Sequence, residues 1–167
     1  MKMRIAGGVE ESIVDGPGFR YTVFAQGCHI HCPECHNPET HDPQGGKDAD
    51  TDEMIAQFSE NVLLDGITLS GGDPFLQPEA CLQLAKAAHA AGLNVWAYSG
   101  QTLDELVLLC GKRPYLGELL EEIDVLVDGP FLIAQRTLDM RFRGSRNQRV
   151  IDMKATLAQG TVVEMDI

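Results

Sequence analysis

The sequence predicts an α/β fold, a short and incomplete (open) (βα) barrel with about five or six mainly parallel strands. Short β-rich runs alternate with longer helical ones, the order that builds parallel strands joined by right-handed crossovers. The β-rich runs are dense in Val, Ile, Leu, Phe and Tyr, as expected for strands buried on both faces. A complete eight-fold barrel takes about 250 residues, and a chain of 167 stops short of that. The same length fits a single domain over 1–167, with a loop at 26–50 set inside it.

The strands are expected at 21–25, 66–70, 93–99, 123–127 and 149–152, with weaker candidates at 3–6 and 161–164. Helices fall between them. The segment 51–60 opens on Thr51, a residue able to cap a first turn, and Asp52 and Glu53 suit its positive end. In 78–91 a proline comes early and Gly92 stands just past the end. Thr102 and Glu105 match a capping box at the start of 102–109, and 116–122 is a shorter fourth helix. The polar stretch 41–50, HDPQGGKDAD, reads as a flexible loop.

Composition narrows the function classes. An apolar share of 44% suits a globular protein with a real core. No apolar stretch follows the basic start, and no window nears the ~20 apolar residues of a membrane span. A cytoplasmic location without membrane attachment is the expectation. A net charge of −12 argues against nucleic-acid binding. The positive charge gathers late, in Arg136, Arg141, Arg143, Arg146 and Arg149. Pairing with the chain's carboxylates accounts for most of such arginines; contact with a partner or a bound anion is the functional alternative.

Three of the five cysteines, Cys28, Cys32 and Cys35, crowd into eight residues on a loop that leaves the strand at 21–25. In open α/β sheets that is the edge where ligands bind. An odd number of cysteines suggests metal or redox chemistry rather than a disulfide framework. Three thiolates can hold three irons of a cubane cluster and leave the fourth open, whereas electron-carrying clusters use four cysteines. Zinc is the rival, with His31 or His36 as a fourth ligand, but structural zinc sites draw their ligands as two separated pairs. Cys81 and Cys110 lie in helix-like surroundings and read as buried small hydrophobes.

A second constellation, Leu69-Ser70-Gly71-Gly72-Asp73-Pro74, ends the strand at 66–70. Two glycines remove Cβ atoms that would keep a ligand from the backbone, and the acid can meet an ammonium group. Alone, it is equally good turn chemistry. The strand at 93–99 ends in Trp96-Ala97-Tyr98-Ser99-Gly100, with Ser99 at the same open end.

Together these motifs resemble the radical S-adenosylmethionine superfamily: Cys28-x3-Cys32-x2-Cys35 after the first strand, then Gly71-Gly72-Asp73 after a later one. Asp15-Gly16-Pro17-Gly18-Phe19-Arg20 and Cys35-His36-Asn37-Pro38 are similar to its glycyl-radical-enzyme activases. Asp128-Gly129-Pro130-Phe131 suits either activase branch, and Arg141-Phe142-Arg143-Gly144-Ser145-Arg146-Asn147-Gln148 resembles the one acting on anaerobic ribonucleoside-triphosphate reductase. The resemblance implies a radical-SAM-type barrel and one [4Fe–4S] cluster on Cys28, Cys32 and Cys35. It implies S-adenosylmethionine held by Gly71, Gly72, Asp73 and Ser99, and by Glu34, Cys35 and His36 on the loop. Several relatives carry an aromatic residue where Glu34 stands here.

The implied activity is reductive cleavage of S-adenosylmethionine, followed by formation of a glycyl radical on the reductase's large subunit. An electron donor such as reduced flavodoxin is the second implied partner. No general acid–base pair is required, so no catalytic side chain is expected beyond these ligands. Activation of pyruvate formate-lyase and a non-catalytic zinc module are the alternatives.

Overall fold

A computed structural model describes residues 1–28 and 38–167 of the chain. Its strands are β1 (Lys2–Ser12), β2 (Arg20–Ala25), β3 (Lys47–Asp50), β4 (Gly66–Gly71), β5 (Asn94–Tyr98), β6 (Val125–Asp128) and β7 (Arg149–Asp152). Its α-helices are α1 (Thr51–Glu60), α2 (Pro78–Ala90), α3 (Leu103–Leu109), α4 (Leu116–Glu122) and α5 (Met153–Gln159). One open sheet runs in the order β3-β1-β2-β4-β5-β6-β7.

The four central strands, β2-β4-β5-β6, are parallel, as the alternation requires. Both flanks differ from the expectation. β1 pairs antiparallel with β2 and with β3, and β7 pairs antiparallel with β6. The sheet therefore has seven strands rather than five or six, and half of its six pairings are antiparallel. Antiparallel neighbours need no helical crossover, which is how so short a chain widens its sheet.

Other differences are local. β3 lies inside the expected loop 41–50; it is a polar edge strand paired only with β1. The candidate at 161–164 forms only an isolated bridge, Ile151 to Glu164. α5 was not expected, although Asp152 caps it by accepting from Ala155 N and Gly160 closes it at φ 77°. The cap of α1 is Asp50, which accepts from Asp52 N. Thr51 instead donates towards Met1 and Gln83. The capping box of Thr102 and Glu105 is formed.

The helices cover one face of the sheet. Ile67, Leu69, Val95, Ala97, Leu126 and Ile151 pack there with Phe75, Leu84, Leu106 and Leu119 in the main core. Residues alternate along a strand, so Thr22 and Thr68 face the opposite side. That side holds a smaller apolar cluster of Trp96, Val125, Val127 and Val150. Arg20, fully buried, crosses it with its guanidinium 5.7 Å from the Trp96 ring centre. It donates to Thr68 Oγ1 at 2.7 Å, to the Ile67 carbonyl at 2.7 Å and to Asn94 Oδ1 at 2.6 Å, joining β2 to β4 and β5. Burial lowers its pKa to about 10, against the pull of Tyr98, Asp65, Asp124 and Asp15. Among the described residues no helix is long and apolar enough to cross a membrane.

Candidate functional site

The carboxyl ends of the four parallel strands meet in a cavity of about 360 Å³. Cys28 reaches it from β2, Ser70, Gly71 and Gly72 from β4, Tyr98, Ser99 and Gly100 from β5, and Gly129 and Phe131 from β6. His41 belongs to the same wall. Two non-adjacent segments complete it, Val14 and Asp15 before β2, and Phe142, Arg143, Gly144 and Gln148 before β7.

Of the expected cluster ligands, Cys28 is described, buried at 8% exposure beside the two glycines. Cys32 and Cys35 lie outside the described residues, as do Glu34 and His36. Among the described residues no group of three or more His, Cys, Asp or Glu gathers to hold a metal ion. Cys81 is fully buried with its thiol on the Pro74 carbonyl, and burial raises its pKa. Cys110 is only half-buried, not the core residue expected.

The glycine pair has a use the sequence reading did not foresee. Gly71 has φ 100°, and a Cβ there would lie 2.4 Å from Ala25 N. At Gly72 a Cβ would meet the carbonyl oxygens of Gly27 at 2.4 Å and Thr40 at 2.8 Å. These are backbone atoms, which cannot swing aside as a flexible side chain can. Gly72 N donates to the Ala25 carbonyl and Asp73 N to the Gly27 carbonyl, both at 2.8 Å. Gly27 N donates to the Thr40 carbonyl at 2.6 Å and Cys28 N to that of His41 at 3.1 Å. The motif thus fastens the start of the cysteine loop to the end of β4, and the loop's return at Thr40 and His41 is hydrogen-bonded to that start.

Asp73 is 2% exposed and lies behind the wall rather than in it. One oxygen accepts from Phe75 N at 3.0 Å, capping a 3-10 turn, and the other from the Ser99 hydroxyl at 2.9 Å. Burial pushes its pKa up to about 6, and the donors Phe75 N, Ser99 Oγ and Gly100 N pull the other way. Ser99, 5% exposed, also accepts from Gln101 N. Asp73 therefore braces the β5 edge of the cavity.

Two further motifs turn out to be scaffolds. In Asp15–Arg20, Gly16 packs on the Arg20 side chain and Phe19 N donates to Asp65. This turn carries Val14 and Asp15 to the cavity. Asp128, 1% exposed, accepts from Arg149 Nε at 3.0 Å and Nη2 at 2.6 Å, and also from Leu103 N. That pair ties β6 to β7. The contributions of Phe142, Arg143 and Gln148 to the wall were not expected as cofactor contacts. The Arg-Phe-Arg-Gly-Ser run was the signal that pointed to their segment.

Residues 14–151 match the family model described as a 4Fe-4S single cluster domain. The chain is 35% identical over 147 residues to the anaerobic ribonucleoside-triphosphate reductase-activating protein of Escherichia coli (strain K12), covering 83% of this chain and 91% of that protein. The Salmonella typhimurium protein of the same description is 36% identical over the same shares. The pyruvate formate-lyase-activating enzyme of Clostridium pasteurianum is 38% identical over 87 residues, 49% of this chain and 37% of that one. Among solved structures, QueE from Escherichia coli overlaps 61% of this chain and 54% of that chain, with a TM-score of 0.48 at 15% identity.

Proposed function

The chain belongs to the 4Fe–4S single cluster domain family and, within it, to the radical S-adenosylmethionine activases of glycyl-radical enzymes; from that premise we propose that its partner is an anaerobic ribonucleoside-triphosphate reductase. The activity is formation of a glycyl radical on the reductase's large subunit after reductive cleavage of S-adenosylmethionine. The observation that carries this reading is the convergence of Cys28 and the Gly71-Gly72 backbone on one cavity at the strand ends. Similarity over nine-tenths of the reductase-activating relatives, against 37% of the Clostridium pasteurianum activase, supports the choice of partner.

The described residues fit the group the family carries. Cys28 is a buried thiol donor at the cavity wall, and bare glycine backbone stands beside it where a side chain would fill the space. Cys28, Cys32 and Cys35 would hold a [4Fe–4S] cluster and leave one iron open. When bound, the cluster supplies one electron that splits S-adenosylmethionine into methionine and a 5′-deoxyadenosyl radical.

The chain's own residues have two tasks in this reading. Gly71, Gly72 and Ser99 present polar backbone and a hydroxyl to the methionyl end, with Asp73 supplying negative charge from the layer behind. Glu34, Cys35 and His36, assigned to the cofactor from the sequence alone, lie outside the described residues. Phe131 and Phe142 wall the cavity with apolar surface, which keeps water from a reactive radical. No side chain serves as general acid or base. A radical-SAM-type incomplete barrel suits a macromolecular substrate, because a partner's loop can enter at the cavity where the strands end. The electron comes from a one-electron donor such as reduced flavodoxin, in the cytoplasm, with no role for nucleic acid or a membrane.

Anaerobically reconstituted protein should hold about four irons and four sulfides per chain. With dithionite and S-adenosylmethionine it should release 5′-deoxyadenosine, and Cys28→Ser, Cys32→Ser and Cys35→Ser should each abolish this. A single bound zinc with no iron would overturn the reading.

A further inference from the structure

We propose that the arm between β6 and β7, residues 129–148, is a docking surface for an acidic face of the protein substrate. The proposal rests on the reading of the cavity as a radical source for a macromolecule.

The arm carries four arginines and one aspartate, a net +3 in a chain of net −12. Arg136, Arg141 and Arg146 are exposed, and none has a carboxylate within ion-pair distance among the described residues. The chain offers 25 acidic side chains, and Arg4 and Arg149 both take one. Three guanidiniums kept apart from that supply repel one another, an arrangement that becomes favourable when negative charge is brought to them. Leu138 stands 87% exposed among them, adding apolar contact surface.

The arm is held rigidly, so the charges are displayed rather than loose. Thr137 N donates to the Gly144 carbonyl and Arg146 N to that of Gln135, which brings Arg136 and Arg146 together on paired backbone. Gln148 accepts from Gly144 N and donates to the Gly129 carbonyl, closing the base of the arm. Its inner side is Phe142, Arg143 and Gly144, which line the cavity. A protein that docks on the outer side therefore has its nearest loop at the cavity mouth. Acidic protein rather than nucleic acid is the favoured occupant, because the positive charge is confined to one short arm, enough to meet a local acidic face but not to follow a phosphate backbone across a chain that is otherwise net negative.

The test is a charge reversal on the whole, cluster-loaded protein: Arg136→Glu/Arg141→Glu/Arg146→Glu, with the neutral Arg→Gln triple variant beside it. Affinity for the large subunit of the cognate reductase is measured by titration at low and at 0.5 M salt. 5′-Deoxyadenosine release without the reductase is measured in parallel. Reversal should weaken binding at low salt by about tenfold or more, the neutral variant less, and high salt should erase the differences. Uncoupled 5′-deoxyadenosine release should not change. Equal affinity in all three proteins would overturn the proposal, while intact cofactor cleavage would leave the function standing. Weakened binding with no cleavage even in the unaltered protein would sink the function and leave the docking surface. Salt-sensitive binding of a single-stranded DNA 20-mer that the reversal abolishes, with reductase binding untouched, would reassign the arm and overturn the proposal.

Discussion

Along β4, Ile67 and Leu69 point to the helices and are almost fully buried, whereas Thr68 and Ser70 point to the opposite side. β2 repeats the pattern: Tyr21, Val23 and Ala25 join the main core, and Arg20 and Thr22 lie opposite. Parallel strands covered on both faces usually read as continuous apolar runs. Here the central strands bury both faces, but only the outer one is apolar throughout. The inner face carries a buried guanidinium, threonines and Tyr98, whose own pKa burial raises. The difference assigns a task to each side. The outer face supplies stability, and the inner face and the strand ends hold a polar, shaped space.

This division makes paired substitutions informative. Gly72→Ala, at the strand end, should have the largest effect on function. Its Cβ would overlap the Gly27 and Thr40 carbonyls, so the anchored start of the cysteine loop must shift. Overpacking of this kind costs about 1–3 kcal/mol, but the expected loss is in iron content, most of which should fail to load. Leu69→Ala, three residues earlier on the outer face, should cost about 2–5 kcal/mol of stability and leave iron content unchanged below its melting temperature. Equal iron loading in Gly72→Ala and the unaltered protein would erase the distinction.

A smaller effect belongs to His89 on α2. Its ring bonds Glu122 at 2.7 Å and Asp124 at 2.8 Å, and Asp124 also accepts from Val95 N. Burial acts to lower the His89 pKa, but the hydrogen bonds to Asp124 and Glu122 outweigh it and the net shift is upward from 6.5. A raised folded pKa favours the protonated native state. Its contribution is fully present below pH 6.5 and fades as pH rises through the folded value. Thermal melts should show the unaltered protein losing more stability than His89→Gln as pH rises above 6.5. Parallel pH profiles would show that the bonds of His89 to Glu122 and Asp124 add no pH-dependent stability.

Much of this fold was readable because the central strands are buried and dense in apolar residues; the expected 149–152 and 116–122 coincide with β7 and α4. β3 escaped because Lys47-Asp48-Ala49-Asp50 has no apolar signature, and only backbone pairing with β1 makes it a strand. The cavity wall was legible where motifs end strands, at Cys28, Gly71, Gly72 and Ser99. The burial of Asp73 was not, because it depends on Ser99, 26 positions away. Nor was the wall formed by Phe142 and Arg143, which reach the cavity through the folding of the arm.

The proposed activity delivers a radical to another protein. The direct measurement is electron paramagnetic resonance of the reductase large subunit after anaerobic incubation with this protein, S-adenosylmethionine and a reductant. A glycyl-radical doublet on the reductase, absent with Cys28→Ser and absent from pyruvate formate-lyase treated identically, is the expected result. Release of 5′-deoxyadenosine with no doublet on the reductase, or a doublet on pyruvate formate-lyase alone, would contradict it.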